Sequence, residues 1–246
     1  MLSSPEIKRE IFMNERNTTN TKKIVAVAMF SALAFITTML CGYFPKVAGF
    51  LSIDFKDAII VICALIFGPV AALPITLLVP LLEMLTISIT GWYGLVMNIL
   101  SSATFVLVTG FIYKYKRSFY GAIVALVSGV FSVSAVMVLA NLLITPLYLT
   151  YVLGVPSTTA DVASMVPGIL LPFNFVKALL NGAIVLLLYK PLSTALRSAG
   201  FVQKREKQES AAKKFNLRSL IVSLISLVII AVSLCIIFLV DRKSVV

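Results

Sequence analysis

Apolar residues form long runs along the chain after residue 23, and short segments containing polar residues, glycine or proline separate the runs. A helix that crosses a membrane needs about 20 mostly apolar residues. The run from Ala58 to Ile89 is too long for one span, and the breaker Gly68-Pro69 divides it in two. The pattern therefore predicts an all-α integral membrane protein with seven spans, at residues 24–42, 58–68, 70–88, 95–113, 119–146, 167–189 and 218–240.

The polar segments predict how the rest of the chain is organised. We expect residues 1–21 to form a loose polar tail on the cytoplasmic side. A longer loop is predicted at 147–166, because Pro146 should end the span before it. Residues 201–217 form a basic linker to the additional span at 218–240.

The composition excludes several classes of protein. Hydrophobic residues make up 60% of the 246 residues and charged residues 13%, with a mean hydropathy of +1.04. A soluble domain has roughly 45–50% apolar and about 25% charged residues, so a soluble domain, a disordered chain and a disulfide scaffold are excluded. Histidine is absent from the sequence, and the three cysteines lie in apolar runs without metal-ligand spacing. We therefore expect neither an enzyme nor a metal or cofactor site.

The positive charges indicate an orientation in the membrane. The formal net charge is +11, and most lysines and arginines fall in three clusters, at 8–23, 114–117 and 190–218. Cytoplasmic loops of membrane proteins carry excess Lys and Arg. All three clusters lie on one side if the amino terminus is cytoplasmic, which is the orientation we predict. Basic residues that lie in the segments between membrane spans do not indicate nucleic-acid binding.

Lys177 lies inside a predicted span, where an ionisable side chain costs roughly 2.5–3.5 kcal/mol on insertion scales. Asn174, Lys177 and Asn181 have the spacing i, i+3 and i+7, so they share one face of a helix. One lysine and two carboxamides can serve a polar, planar ligand. The alternative is a lysine that extends to the interface while the asparagines bond neighbouring helices.

Further carboxamides lie at a similar depth on other spans. Asn141 and Thr145 are one turn apart near the outer end of the fifth span, and Asn98 is near the outer end of the fourth. Each alone is typical of helix–helix contacts. Together with Asn174 and Lys177 they favour a ligand cavity open to the outside.

Two other features leave alternatives open. Glu83 could contact Lys177 across the bundle, or it could lie near the external interface. Ala28 and Ala32 form a small-xxx-small pair on the first span, where another helix can approach closely. This face could serve internal packing or a partner subunit.

Four segments resemble the substrate-binding S component of energy-coupling factor (ECF) vitamin transporters, most closely the riboflavin-specific branch. They are LSIDFKD at 51–57, FGP at 67–69, NLLITPLY at 141–148 and PFNFVK at 172–177. The resemblance covers roughly residues 22–200. It implies a six-helix membrane bundle that captures a vitamin from outside.

The resemblance also implies roles for particular residues. Asn141, Asn174 and Lys177 match the family's ligand-contacting positions, and the loop that includes Leu51, Asp54 and Phe55 should cover the ligand. The Ala28 and Ala32 face should meet a transmembrane coupling subunit, which sits on two ATPase subunits. Riboflavin, or a related flavin, is then the transported substrate and not a cofactor.

Other functions remain as alternatives. The chain could be an S component for another vitamin, or a secondary transporter that works alone. A secondary transporter would need an internal repeat or an acidic coupling-ion site, and Glu83 is the only acid in the middle of a span.

Overall fold

The structure, a computed structural model, describes residues 5–44, 46–201 and 224–236, with side chains from residue 20 onward. All the regular elements in these ranges are helices. A π-helical turn, Val166–Leu170, joins α6 to α7. The helices are α1 (Pro5–Cys41), α2 (Lys56–Phe67), α3 (Pro69–Thr86), α4 (Gly91–Tyr115), α5 (Phe119–Tyr151), α6 (Thr159–Met165), α7 (Leu171–Ser198) and α8 (Leu224–Ile236).

The short helix α2 lies at the centre of the bundle. It contacts α1, α3, α4 and α7, and its residues from Lys56 to Leu65 are buried. A helix that is apolar on all sides packs inside a protein, and the sequence of α2 after Asp57 is of this kind. At 12 residues it is about 18 Å long, too short to cross a hydrocarbon layer of about 30 Å. The second predicted span is thus an internal helix that the other helices surround.

The other main helices build the bundle around α2. Within the described ranges, five helical segments are long and apolar enough to cross a membrane. With α2 they form the six-helix bundle that we predicted. The five segments are Asn20–Cys41, Pro69–Thr86, Gly91–Tyr115, Phe119–Tyr151 and Thr159–Ser198.

The predicted break between the second and third spans is confirmed. Gly68 has a φ of 96°, a conformation that glycine adopts without strain, and Pro69 begins α3. The start of α3 also lies close to α4. A Cβ added to Gly110 of α4 would lie 2.7 Å from the Cβ of Pro69. Only glycine therefore lets α4 approach the start of α3 this closely.

Two predicted boundaries were wrong. The helix α1 already begins at Pro5, so most of the segment expected to be a loose tail is helical. The helix α5 passes through Pro146 and ends at Tyr151. The proline removes one backbone donor, but Thr145 and Tyr148 on either side are buried by neighbouring elements, and this packing maintains the helix.

The predicted loop at 147–166 is also shorter than expected. Thr158 caps α6, since its hydroxyl accepts a bond from the Asp161 N–H and the Asp161 carboxylate accepts one from the Thr158 N–H. This capping box starts a helical segment that continues through the π-helical turn into α7. Only the residues between Tyr151 and Thr158 remain irregular.

The predicted basic clusters meet at one end of the bundle. Lys22 donates a hydrogen bond to the carbonyl of Gly200 (3.3 Å), and the hydroxyls of Tyr113 and Tyr189 are 3.2 Å apart. These contacts bring Lys22, which lies within α1, to the basic ends of α4 and α7. The side of the membrane that this end faces stays a prediction.

The additional predicted span lies only partly within the described residues. The helix α8 accounts for its middle, and residues 218–223 and 237–240 lie outside the described ranges. Of the predicted linker at 201–217, residues 202–217 lie outside them as well.

Candidate ligand-binding site

A cavity of about 300 Å³ opens at the end of the bundle opposite the basic clusters. Its wall is made by the ends of α1, α3 and α5, the beginnings of α4 and α7, and the loop from 42 to 55. Small-molecule sites typically measure about 300–1,000 Å³, so the cavity has the size of a ligand site. Seven residues predicted from the sequence line it, namely Leu51, Asp54, Asn98, Asn141, Thr145, Asn174 and Lys177.

Asp54 is the centre of a buried charge network at this cavity. Its Oδ2 lies 2.7 Å from Nζ of Lys177 and 2.8 Å from Nζ of Lys56. Burial alone raises the pKa of Asp54, but the ammonium groups of Lys177 and Lys56 outweigh it and hold the pKa well below its usual range. Asp54 is therefore ionised, and it ties the loop to α2 and α7.

The network continues to α3 and α4. Lys56 lies 3.5 Å from Oε2 of Glu83 and donates a hydrogen bond to Oδ1 of Asn98 (3.2 Å). The Nδ2 of Asn98 in turn donates to Oε2 of Glu83 (3.1 Å). Of the two alternatives for Glu83, the contact with Lys177 is absent, because the carboxylate pairs with Lys56 and Asn98. Its closeness to the external interface stays a prediction.

Asn181 binds protein backbone and does not line the cavity. Its Oδ1 accepts a hydrogen bond from the N–H of Ala58 (2.9 Å), and its Nδ2 donates to the carbonyl of Asp54 (3.0 Å). It lies one turn further along α7 than Lys177, beside the start of α2. Phe55, also predicted as a ligand residue, lies outside the cavity lining and packs edge-on against Phe44. Both residues hold the loop in place instead of facing a ligand.

Several polar groups that face the cavity keep unused hydrogen-bonding capacity. Among the described residues, the Oδ1 of Asn174 accepts no hydrogen bond, and the Oδ1 of Asp54 accepts none either but is buried away from the cavity surface. The Nδ2 of Asn174 donates to the carbonyl of Leu170 (2.7 Å), which orients the side chain. Lys177 uses one of its three N–H donors on Asp54.

Asn141 is oriented in the same way. Its Nδ2 donates to the carbonyl of Met137 (2.7 Å), and its Oδ1 accepts a bond from the hydroxyl of Thr145 (2.8 Å). A carboxamide has two donors and two acceptor sites, so one donor and one acceptor site of Asn141 stay available to a ligand. The predicted pairing of Asn141 with Thr145 on one helix face is thus present, with the threonine fixing the amide.

Aromatic rings cover one side of the cavity. The ring centroids of Phe50 and Tyr93 each lie 6.0 Å from that of Tyr148, and all three residues line the cavity. Aromatic faces beside a few placed polar groups suit a flat ring system. None of these rings was predicted from the sequence to line the site. The i, i+7 spacing of Asn141 and Tyr148, which places both on one face of α5, could have indicated Tyr148.

The residue pair predicted for partner docking lies away from the cavity. Ala28 and Ala32 are exposed on α1, on a face that also exposes Ile24, Met29 and Leu33. Within the described residues α1 packs against α2 and α3 through its other side. The small residues of this pair therefore do not serve packing within the described bundle.

The groups that line this cavity are suited to binding a ligand. Among the described residues, no group of cysteine, aspartate and glutamate side chains is arranged to hold a metal ion. The polar groups of the cavity are fixed donors and acceptors around a concave space, which is what a binding site requires.

The bundle and its cavity define a class of protein. Residues 22–189 match the family model "ECF transporter, substrate-specific component", and the chain belongs to this family. It is a transporter component and not an enzyme.

Individual relatives narrow the comparison. The chain is 34% identical over 186 residues to the riboflavin transporter FmnP of Bacillus subtilis (strain 168). This alignment covers 72% of this chain and 97% of that protein. It is 31% identical over 194 residues to the riboflavin transporter RibU of Staphylococcus aureus (strain TCH60), and this alignment covers 75% of this chain and 99% of that protein. A solved structure, described as "Structure and mechanism of the S component of a bacterial ECF transporter", superposes with a TM-score of 0.60 at 28% identity, covering 72% of this chain and 99% of that one.

Proposed function

We propose that this chain captures riboflavin, or a closely related flavin, from outside the membrane and delivers it inward as the substrate-binding subunit of an ATP-driven importer. The observation that carries the proposal is the cavity of about 300 Å³ with Asp54, Asn141, Asn174 and Lys177 on its wall. Relatives that share 31–34% of their residues with this chain are named riboflavin transporters.

The hydrogen-bonding groups of the cavity are complementary to a flavin. The polar edge of an isoalloxazine ring carries a carbonyl, an N–H and a second carbonyl. Lys177 and Asn141 supply donors for the carbonyls, and the Oδ1 of Asn174 accepts from an N–H. The aromatic cluster of Phe50, Tyr93 and Tyr148 suits the flat face of the ring.

The loop from 42 to 55 serves as the cover of the site. Leu51 and Asp54 face the cavity from this loop, and the ion pair with Lys177 holds the loop on α7. Opening the cover requires this ion pair and the bond from Asn181 to the Asp54 carbonyl to break. We expect the site in residues 22–200 to release its ligand when the loop moves.

Delivery to the cytoplasm uses partners. We assign the exposed face of α1 around Ala28 and Ala32 to a transmembrane coupling subunit, which connects the bundle to two ATPase subunits. An apolar helix face with small residues lets another membrane helix approach closely. The amino terminus is then cytoplasmic, which agrees with the clustering of Lys and Arg at the end of the bundle away from the cavity.

Fluorescence titration tests this function. Purified protein should quench riboflavin fluorescence with sub-micromolar affinity, because the ring becomes enclosed beside aromatic side chains. A flavin methylated on the N–H of its polar edge is the matched control ligand and should bind more weakly. Absence of quenching together with binding of another vitamin would refute the flavin assignment. Uptake into vesicles that contain this chain alone would refute the need for partners.

A further inference from the structure

The helix α8 lies beyond everything that the family comparison covers. The family match ends at residue 189. The alignment with the B. subtilis relative uses 72% of this chain and covers 97% of that protein. The alignment with the S. aureus relative uses 75% of this chain and covers 99% of that protein. The bundle that binds the ligand is therefore complete without α8. Its position on the bundle nevertheless connects it to the ligand site.

One face of α8 is packed against the bundle. Ser226 and Ser233 are 0% and 2% exposed, whereas Val228 and Val232 are 61% and 51% exposed. The residues that are buried or partly buried have the spacing i, i+3, i+4, i+7 and i+8, which is one side of a helix, and they are Ser226, Ile229, Ile230, Ser233 and Leu234. The two most buried positions hold small residues, which let α8 approach its neighbours closely.

The second half of α8 contacts the wall of the ligand cavity. Ile230 and Leu234 pack against a buried apolar cluster, which we call the gate cluster. Three of its members, Leu51, Ile53 and Phe173, also line the ligand cavity. The gate cluster consists of Val47, Leu51, Ile53, Val162, Leu170, Phe173, Val176 and Leu180.

The first half of α8 buries Ser226 but also borders an open space. An apolar space of about 270 Å³ lies between α5, α7 and the residues Ile225, Ser226 and Ile229 of α8. Apolar groups that border such a space lose part of their attractive contacts. The contacts that connect α8 to the ligand cavity are therefore those at the gate cluster.

We propose that α8 is a brace that holds the gate cluster in its closed arrangement and slows the release of the bound ligand. This inference rests on the proposed function. The gate cluster joins residues of the covering loop to residues of α7, so opening the loop must pull the cluster apart. Because Ile230 and Leu234 pack on the closed cluster, they add contacts that opening would lose. Contacts of this kind act mainly on the dissociation rate and little on the association rate.

The test compares neighbouring positions on the two faces of α8 in the full-length protein. Ser233→Phe places a large ring at a buried position and should push α8 from the gate cluster. Val232→Phe adds the same ring on the exposed face and is the matched control. Leu234→Ala removes contacts to the cluster without overpacking.

The dissociation rate is measured as the recovery of riboflavin fluorescence after dilution of the loaded protein. We expect release from Ser233→Phe to be about tenfold faster, since overpacking a close contact costs on the order of one factor of ten in an equilibrium. Leu234→Ala should release the ligand about threefold faster, in line with a partly buried side chain. Val232→Phe should keep the wild-type rate, and all association rates should stay within about twofold of the wild type.

The outcomes separate this inference from the proposed function. If the wild type does not bind a flavin, the proposed function fails and the inference falls with it. If the wild type binds and all three variants release the flavin at its rate, only the brace is refuted. Faster release from Leu234→Ala with unchanged melting of the ligand-free protein supports the brace. Faster release with an equal loss of stability in the ligand-free protein would refute it, because α8 would then stabilise the fold in general.

Discussion

Replacing Asp54 by asparagine tests the charge network most directly. Asn keeps the shape of the side chain and an acceptor oxygen, but it removes the negative charge that Lys56 and Lys177 share. Lys56 keeps Glu83 at 3.5 Å, whereas no other carboxylate lies within ion-pair distance of Lys177 among the described residues. The substitution therefore leaves an ammonium group at the cavity without a counter-charge.

The size of the effect follows from the geometry. Two unit charges about 2.8 Å apart attract each other by about 6 kcal/mol at an effective dielectric constant of about 20. Most of this attraction offsets the cost of burying the ions, and removal of one partner from a buried pair costs about 3–5 kcal/mol. The side chain of Lys56 is 1% exposed and that of Lys177 is 12% exposed, so water relieves Lys177 only slightly. We expect the free energy of unfolding of Asp54→Asn to fall by about 3–5 kcal/mol.

Denaturant unfolding of the ligand-free protein in detergent measures this loss. Asp57 supplies a matched control, because it is also buried but, among the described residues, its carboxylate pairs only with the hydroxyl of Ser102. Asp57→Asn should cost about 1 kcal/mol, the usual contribution of one hydrogen bond. The double variant Asp54→Asn/Lys177→Gln should lose less stability than the sum of the two single variants, since no unpaired ammonium remains. Wild-type stability of Asp54→Asn, or a larger loss in Asp57→Asn, would refute the assigned role of Asp54.

Three further predictions concern the ligand, the partner and the loop. Asn141→Ala and Lys177→Ala should each weaken flavin binding in fluorescence titrations by about 1–3 kcal/mol, because a polar ligand group loses its partner; wild-type affinity of both would contradict the site. Ala28→Trp and Ala32→Trp should leave titrations unchanged and abolish co-purification with the coupling subunit, and retained assembly would contradict the docking face. Asn181→Leu should lower the unfolding free energy by about 1–3 kcal/mol for each backbone group left unpaired, and unchanged melting would show that this amide does not hold the loop.

The sequence by itself determined the class of fold and several polar residues of the site. Runs of about 20 apolar residues impose membrane helices, since a backbone in lipid must satisfy its own hydrogen bonds. The depth of a polar residue in the membrane then follows from the number of residues between it and the end of its helix. Asn98, Asn141 and Asn174 were predicted to lie at a similar depth on three helices, and they line one cavity.

Only the tertiary structure decided which polar groups pair with which. The sequence shows Asp54, Lys56 and Glu83 as separate charges, and their network depends on α2 lying at the centre of the bundle between α3 and α7. Asn181 shares a helix face with Lys177, yet a difference of one turn places it against the start of α2 instead of the cavity. Periodicity describes the face of one helix, whereas the partner of that face depends on how all the helices pack together. For the same reason only the structure reveals that α8 packs against the gate cluster.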